Sequence, residues 1–541
     1  LSTLKWFGLY LLLPSAILVL LATYSFQDPG ESDPQKRIAH ALASGNHFMA
    51  KAEYRKLIEQ DFGNVKWHRG YISAHLEQPK YQGGSRRRDD RPILEEYERH
   101  AQSTDASVAD IGWYGLGYLH SVEGDYPLAL ESFNRVRDRS LPYLNNSVGY
   151  AQQSLGAPDL AEASFRREIE IGGHVDGARS NLARLMYDQG RFAEIEEMAS
   201  DPGVRQVLDR YIVRYLDLRE RRFLRYAVDA IGARRATASG ALGAALVFLV
   251  WFVYLRQVDV FERERARHAG MMTVVAMGFS LCTVPLYDLL RFGLGFTLTG
   301  RPAGDLLFCI LGIGLVEETV KIVPVLLIMR LTSVVNESTD YLIYGSLSGL
   351  GFAFVENLLY FDDSGLKTIA ARAISATVLH MTLTAMVMYG LLYARYSARR
   401  QPVLYTLLAF AGACVVHGVY DFWLVTGGWL GQLKAMSVLI LLVAITRYGR
   451  ALNTAMNLSE HMPPRHDPLL NLTRWLCGSL AAIIMLQYLL LAAKYGAANA
   501  NRNLASTVFS SFLLIFVILG SLARFTITKG KWIDLFARRG E

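Results

Sequence analysis

The sequence predicts an all-α fold: a polytopic helical membrane bundle of about ten spans, with a soluble helical domain inserted between the first two. Three observations predict it. Ten apolar stretches approach or exceed the roughly 20 residues a helix needs to cross the hydrocarbon core. They run over 6–26, 238–255, 269–290, 303–329, 340–361, 370–394, 403–425, 433–446, 474–493 and 505–523, of which 433–446 is the shortest. Between the first two, residues 27–237 are polar and rich in helix formers. The 541 residues are 52% hydrophobic with mean hydropathy +0.19, too apolar for one soluble domain and too charged for spans alone.

Residues 1–26 form the first element. Lys5 precedes an apolar core too long for a typical signal-peptide h-region, and no small-x-small cleavage site follows cleanly, so a membrane anchor is expected. With the N-terminus cytoplasmic and all ten spans crossing, sixteen Lys and Arg fall in inside loops and six in short outside loops. That asymmetry obeys the positive-inside rule. It puts residues 27–237 on the non-cytoplasmic side and both termini in the cytoplasm. The basic run Arg219–Arg235 opposes this topology, although long domains translocate largely regardless of charge. The four cysteines, Cys282, Cys309, Cys414 and Cys477, all lie in expected spans, which leaves 27–237 without a disulfide.

The second element, 27–237, repeats. Gly124-Asp125-Tyr126, Gly156-Ala157-Pro158 and Gly190-Arg191-Phe192 recur at spacings of 32 and 34 residues. Five residues past each glycine comes Ala129, Ala161 or Ile195, and nine past comes Phe133, Phe165 or Ala199. This resembles the tetratricopeptide repeat, in which a small residue lets two helices pack closely and an aromatic closes the pair. The resemblance is good over 109–200, weaker near Gly45, Ala50 and Tyr54, and poor over 61–108, where GGSRRRDDRP reads as a loop. It implies a surface that binds peptides or proteins. The irregularly spaced His47, His68, His75, His100 and His174 are expected at the surface of this domain, which shows no catalytic constellation.

The third element, 238–450, carries ionisable groups where spans should have none. Glu317, Glu318 and Lys321 lie inside LLFCILGIGLVEETVKIVPVLLIM, Glu356 inside YLIYGSLSGLGFAFVENLLYF, His380 inside ISATVLHMTLTAMVMYGLLY, and His417 with Asp421 inside LLAFAGACVVHGVYDFWLV. A charge at the bilayer centre costs about 3 kcal/mol on insertion scales. Lys321 stands at i+4 from Glu317 and i+3 from Glu318, and Asp421 at i+4 from His417, so each set shares a helix face. Arg372 and His380, eight apart, drift about 80° on a continuous helix. An intramembrane histidine by itself is ordinarily a helix–helix hydrogen bond, and a Glu–Lys pair on one helix a neutralised pair. Several such groups converging indicate a shared polar site. Asp288, near the end of the third span, has no such company and is expected at the interface.

EETVK, GFAFVENLLY, the lone His380 and HGVYD together resemble the PrsW family of intramembrane proteases, relatives of the CAAX prenyl endopeptidase and Abi superfamily. That superfamily carries a Glu-Glu pair followed by a basic residue, Phe-x-x-x-His, and His-x-x-x-Asn/Asp. Here the second motif is Phe352-x-x-x-Glu356 and the third ends in Asp421, as in the PrsW variant. Asp340 and Arg372 also resemble family positions, and the likeness covers roughly 270–425. It implies peptide-bond hydrolysis by a glutamate-activated water, with Glu317, Glu318, Glu356, His380, His417 and Asp421 as catalytic candidates and Lys321, Asn357 and Arg372 in support. Two close carboxylates tend to share a proton, giving one base and one acid. Glu317 with Glu356 would polarise the water, His417 or His380 would serve the oxyanion or the leaving amine, and Asp421 would orient His417.

No cofactor is expected, although metal dependence stays open: Glu, His and Asp are zinc ligands, but HExxH is absent and the two histidines are 37 residues apart on different helices. The expected partners are the bilayer, a membrane-protein or peptide substrate such as an anti-sigma-factor-like regulator, and proteins bound by the repeats, with no nucleic acid. A bacterial inner membrane fits both family and topology. Two other classes compete: a catalytically inactive scaffold, and an ion-coupled transporter, against which no inverted repeat of broken spans is visible. The last element, 451–541, adds two spans without acids and a cytoplasmic tail.

Overall fold

The computed structural model describes residues 8–26, 32–77, 90–232, 237–362, 365–397, 401–426, 433–461 and 471–535. Most of the expected GGSRRRDDRP loop, and Arg399, Arg400, Arg465, Arg538 and Arg539 of the charge count, lie outside them. All elements among the described residues are helical. The chain divides into two compact units: Leu1–Gly30 with Ala230–Glu541, and Glu31–Asp229.

In Glu31–Asp229, short helices pack mostly against their neighbours in sequence. Their starts are set by side-chain caps: Asp33 accepts from the Gln35 N–H, Asn46 from Met49, Asn64 from Lys66, Asp105 from Ser107 and Asp125 from Leu128. The three recurring glycines adopt left-handed φ values, +86° at Gly124, +77° at Gly156 and +73° at Gly190, which a side chain would strain. Ala129, Phe133, Ala161, Phe165 and Ile195 are fully buried. A β-carbon at Gly117 would lie 2.5 Å from the Phe133 ring, and one at Gly149 would lie 2.7 Å from Phe165. Each aromatic therefore packs on the bare backbone of the preceding helix, 16 residues earlier.

The histidines of this unit depart from expectation. His68 and His75 are buried rather than exposed. His68 bonds Tyr97 Oη at 2.9 Å and the Phe62 carbonyl at 2.8 Å; His75 bonds Lys51 at 2.8 Å and Asp90 at 2.9 Å. Both ring nitrogens of each are satisfied, which is what makes such burial tolerable.

The other unit contains eight helices long and apolar enough to cross a membrane: 238–258, 266–294, 338–360, 366–396, 402–425, 435–458, 472–495 and 497–522. Two of the ten expected spans fall outside this set. The first is a short apolar helix over 8–23. The other, 303–329, carries Glu317, Glu318 and Lys321, too many charges to qualify by composition. It is nonetheless one helical rod: α1 (Pro302–Phe308), a π-helical turn at Cys309–Gly314, and α2 (Leu315–Leu331).

The central helix is α3 (Ser338–Tyr360), buried for most of its length. The expected span 370–394 breaks at Ser375 into α4 (Ile369–Ile374) and α5 (Ala376–Tyr396). Next come α6 (Pro402–Val425) and α7 (Ala435–Leu458), the latter longer than 433–446 suggested. A tight turn at Gly496 joins α8 (Leu472–Tyr495) to α9 (Ala497–Leu522). Asp288 is buried among its neighbours.

Candidate active site

Two glycine contacts assemble the site. Gly349 on α3 faces the backbone carbonyl of His380 on α5, so that any β-carbon there would collide with it. Gly314, at the end of the π turn, meets Cys414 on α6, while Gly418 meets Cys309 and Ile310 in return. Backbones thus touch where His380 must reach α3 and where His417 must reach Glu317 and Glu318. Small residues at such crossings are the usual means of close helix approach in membranes, and a π turn beside ionisable groups is a recurrent mark of functional sites.

Lys321 is the hub. Its fully buried ammonium lies 2.8 Å from Glu318 Oε1, 2.7 Å from His380 Nδ1, 3.4 Å from Glu317 Oε2 and 4.4 Å from the centre of the Phe352 ring. Since the ammonium has only donors, it fixes His380 Nδ1 as the acceptor. His380 Nε2 is then the N–H that donates to Glu356 Oε2 at 2.8 Å. The same Glu356 oxygen is 2.7 Å from Arg372, whose Nε donates to Asn357 Oδ1 at 2.9 Å and whose guanidinium covers Tyr360 at 3.9 Å.

His417 faces three carboxylates: Nδ1 lies 2.7 Å from Glu318 Oε1, and Nε2 lies 3.5 Å from Glu317 Oε2 and 3.4 Å from Asp421 Oδ2. Its shortest partner is Glu318. Asp421 faces the opposite ring nitrogen at the longer distance. The imidazoles of His380 and His417 are 5.3 Å apart, centre to centre.

All nine expected residues therefore gather in one cluster, but two routes differ from the expected ones. Arg372 and His380 do not share a continuous helix; the break at Ser375 turns α4 so that Arg372 reaches Glu356 independently. Asp340 sits at the far end of α3 in a capping box with Glu337. Four further residues escaped sequence reasoning. Tyr287 donates its hydroxyl to Glu317 Oε1 at 2.7 Å. Thr377 Oγ1 accepts from Asn357 Nδ2 at 3.2 Å. Gln487 of α8 accepts the Ala370 N–H at 2.7 Å and Trp251 donates to the Ala373 carbonyl at 2.8 Å, so both hold α4 in place. Gln487 carried a usable signal, a lone amide inside an apolar span; Tyr287 carried none.

Glu317, His380 and His417 each offer one ligand atom, all within 4.8 Å of one another. Glu317 Oε2 is buried without a hydrogen bond. Two imidazole nitrogens and a carboxylate oxygen make a donor set suited to a catalytic divalent cation. The 37-residue separation in sequence is thus no obstacle, because the bundle closes it.

Residues 264–446 match a family model described as PrsW family intramembrane metalloprotease. The chain is 25% identical to "Protease PrsW" of Bacillus subtilis (strain 168) over 187 residues, 35% of this chain and 82% of that protein. It is 28% identical to "Protease PrsW" of Geobacillus kaustophilus (strain HTA426) over 150 residues, 28% of this chain and 65% of that one. The matched stretch contains all nine expected residues, and over it the chain is similar to PrsW-type membrane proteases.

Proposed function

We propose that the protein is an intramembrane endopeptidase that hydrolyses membrane-protein substrates with a glutamate-activated water. One observation carries this reading. Glu317 is held by Tyr287 through Oε1, while its buried Oε2 has no hydrogen bond and faces Lys321 and His417. A carboxylate fixed through one oxygen, with the other making no hydrogen bond to the protein, is what a general base requires.

Glu317 Oε2 takes a proton from a water as its oxygen bonds to the scissile carbonyl carbon. His417, with carboxylates facing both ring nitrogens (Glu318 at Nδ1, Glu317 and Asp421 at Nε2), acts as the doubly protonated imidazolium, and its Nε2–H donates to the oxyanion that forms. The proton held on Glu317 passes to the leaving amine as the C–N bond breaks. Glu356 holds His380 in the second arm of the site, and Arg372 anchors Glu356. The side chains of Glu356, Arg372 and Asp421 are 18, 15 and 22% exposed, whereas Glu318 and Lys321 are fully buried. Water and substrate enter by that half-open edge.

A metal-assisted variant is favoured by the Glu317–His380–His417 trio and by the wording of the matched family. Those three residues would hold the ion, which when bound acts as a Lewis acid toward water and carbonyl. The Lys321 ammonium opposes it, since it already engages His380 Nδ1.

The charge asymmetry of the loops supports a ten-span topology in a bacterial inner membrane, with Glu31–Asp229 outside the cytoplasm and the site in the outer half of the bundle. The buried Gly–Phe pairs and left-handed glycines of that unit support tetratricopeptide-type repeats that screen or recruit single-span substrates, anti-sigma-factor-like regulators among them. The test is proteolysis of single-span proteins by the full chain in liposomes, with and without EDTA. Cleavage by wild type and none by Glu317→Gln is expected. No cleavage by either protein would favour a scaffold, equal cleavage by both would remove Glu317 from the role of base, and loss in EDTA would favour the metal-assisted variant.

A further inference from the structure

A second set of acids lies at the other end of α3. Glu337 caps the helix and Asp340 reciprocates, its Oδ2 accepting the N–H groups of Asn336 at 2.9 Å and Glu337 at 2.8 Å. Asp259, just past the end of the 238–258 helix, accepts the Glu264 N–H at 2.6 Å through Oδ2. These three carboxyl groups are 3, 1 and 1% exposed, and each keeps one buried oxygen with no hydrogen bond: Glu337 Oε2, Asp340 Oδ1 and Asp259 Oδ1.

Two more groups complete the cluster. Glu262, Glu337 and His461 each offer one ligand atom, all within 4.8 Å of one another. His461 Nδ1 is 3.4 Å from Glu262 Oε2, and Ser459 bridges to Glu337, donating its hydroxyl to Oε1 while accepting the His461 N–H. Arg256 and Arg263 act on Asp259. Glu337, by contrast, has Asp340, Asp259 and Glu262 as neighbours, all of one sign. Taking unpaired carboxylates out of water costs several kcal/mol each. Among the described residues, the centre of the cluster holds no Lys or Arg ion pair with Glu337 or Asp340.

We propose that Glu262, Glu337 and His461, backed by Asp259 and Asp340, bind a divalent cation of the Mn2+/Zn2+ class. Carboxylate oxygens with a single imidazole suit that class. The site is separate from the candidate active site: Glu337 and Glu356 are 19 residues apart on α3, about 28 Å at the helical rise. The cation ties together the loop after the 238–258 helix, the start of α3 and the end of α7. It is thus a clamp on the helix that also carries Glu356.

The probe is Mn2+ titrated into the full-length protein in detergent, with free ion followed by electron paramagnetic resonance. Glu262 and His461 have side chains 44 and 53% exposed, so their replacement spares the fold. Glu262→Gln and His461→Ala are expected to weaken binding of one ion per chain at least tenfold, while Glu317→Gln retains it. Equal binding by wild type, Glu262→Gln and His461→Ala would overturn the assignment, as would a wild type that binds no Mn2+ at millimolar concentration. So would one ion abolished by Glu317→Gln alone.

Discussion

The Lys321 ammonium lies 2.7 Å from Nδ1 of His380, although the two residues are 59 positions apart on different helices. This contact determines which His380 nitrogen carries the proton, and so makes Glu356 an acceptor from His380 rather than a donor to it. Lys321 also neutralises Glu318, which is entirely buried. A residue read from the sequence as a structural partner is the centre to which both arms of the site attach.

Lys321→Met should be strongly destabilising. Removing one partner of a buried, hydrogen-bonded ion pair costs about 3–5 kcal/mol, because the other charge is left uncompensated. Thermal unfolding in detergent measures it. Adding Glu318→Gln should recover part of the loss, and a double variant no better than the single would refute the pairing.

Glu317→Gln and Glu318→Gln should differ in kind. Loss of the base should lower kcat by about 10²–10⁴-fold with thermal stability close to wild type, since Glu317 Oε2 makes no hydrogen bond. Glu318→Gln should lower stability as well, because it removes the partner of both Lys321 and His417. Parallel kinetics and melting curves separate the two.

Tyr287→Phe removes the bond to Glu317 Oε1 without emptying the site. We expect kcat to fall about tenfold, about 1.4 kcal/mol of transition-state stabilisation, with KM unchanged. A rise in KM alone would assign Tyr287 to substrate binding instead.

Gly349→Leu should prevent α3 from approaching α5, since a side chain there meets the His380 backbone. Overpacking of this kind costs about 1–3 kcal/mol or more. Activity should be lost along with stability, and accelerated hydrogen exchange in α3 and α5 would report the separation. Wild-type exchange in both helices would contradict this packing.

The Glu31–Asp229 unit should have its own pH dependence. Burial holds His68 down to about 4, while an unfolded histidine takes up a proton near 6.5. Above about pH 6.5 both states are neutral and the residue contributes nothing to the slope. As pH falls from 6.5 toward 4 the unfolded state binds the proton first, so stability drops by about 1.4 kcal/mol per unit. Below 4 the folded state is protonated too and the loss ends. Hydrogen exchange over Val65–Leu76 as a function of pH checks this, and His68→Gln should flatten the profile across that window.

Much of the site could be read from the sequence because of a conflict with its surroundings. Glu317, Glu318, Lys321, Glu356, His380, His417 and Asp421 stand out in spans whose other residues are apolar. Tyr287 did not stand out, because tyrosine is unremarkable in a span. The second acid cluster was also hidden, since Asp259, Glu262 and Glu337 fall in loops where acids are ordinary. His68 and His75 were misjudged for the converse reason: in a polar sequence nothing distinguishes a buried, doubly bonded histidine from a solvated one.

What the sequence determined by itself is everything governed by local periodicity and transfer energy: the apolar stretches, the turn glycines at their 32- and 34-residue spacings, and the i, i+3 and i+4 relations among Glu317, Glu318 and Lys321. Which carboxylate serves which imidazole was decided only by the tertiary structure. Hydrogen bonds act over about 3 Å, and residues on different helices come that close only where Gly314, Gly349 and Gly418 let backbones touch. The pairing of Glu318 with His417 and of Glu356 with His380 is a property of those crossings, and no spacing along the chain specifies it.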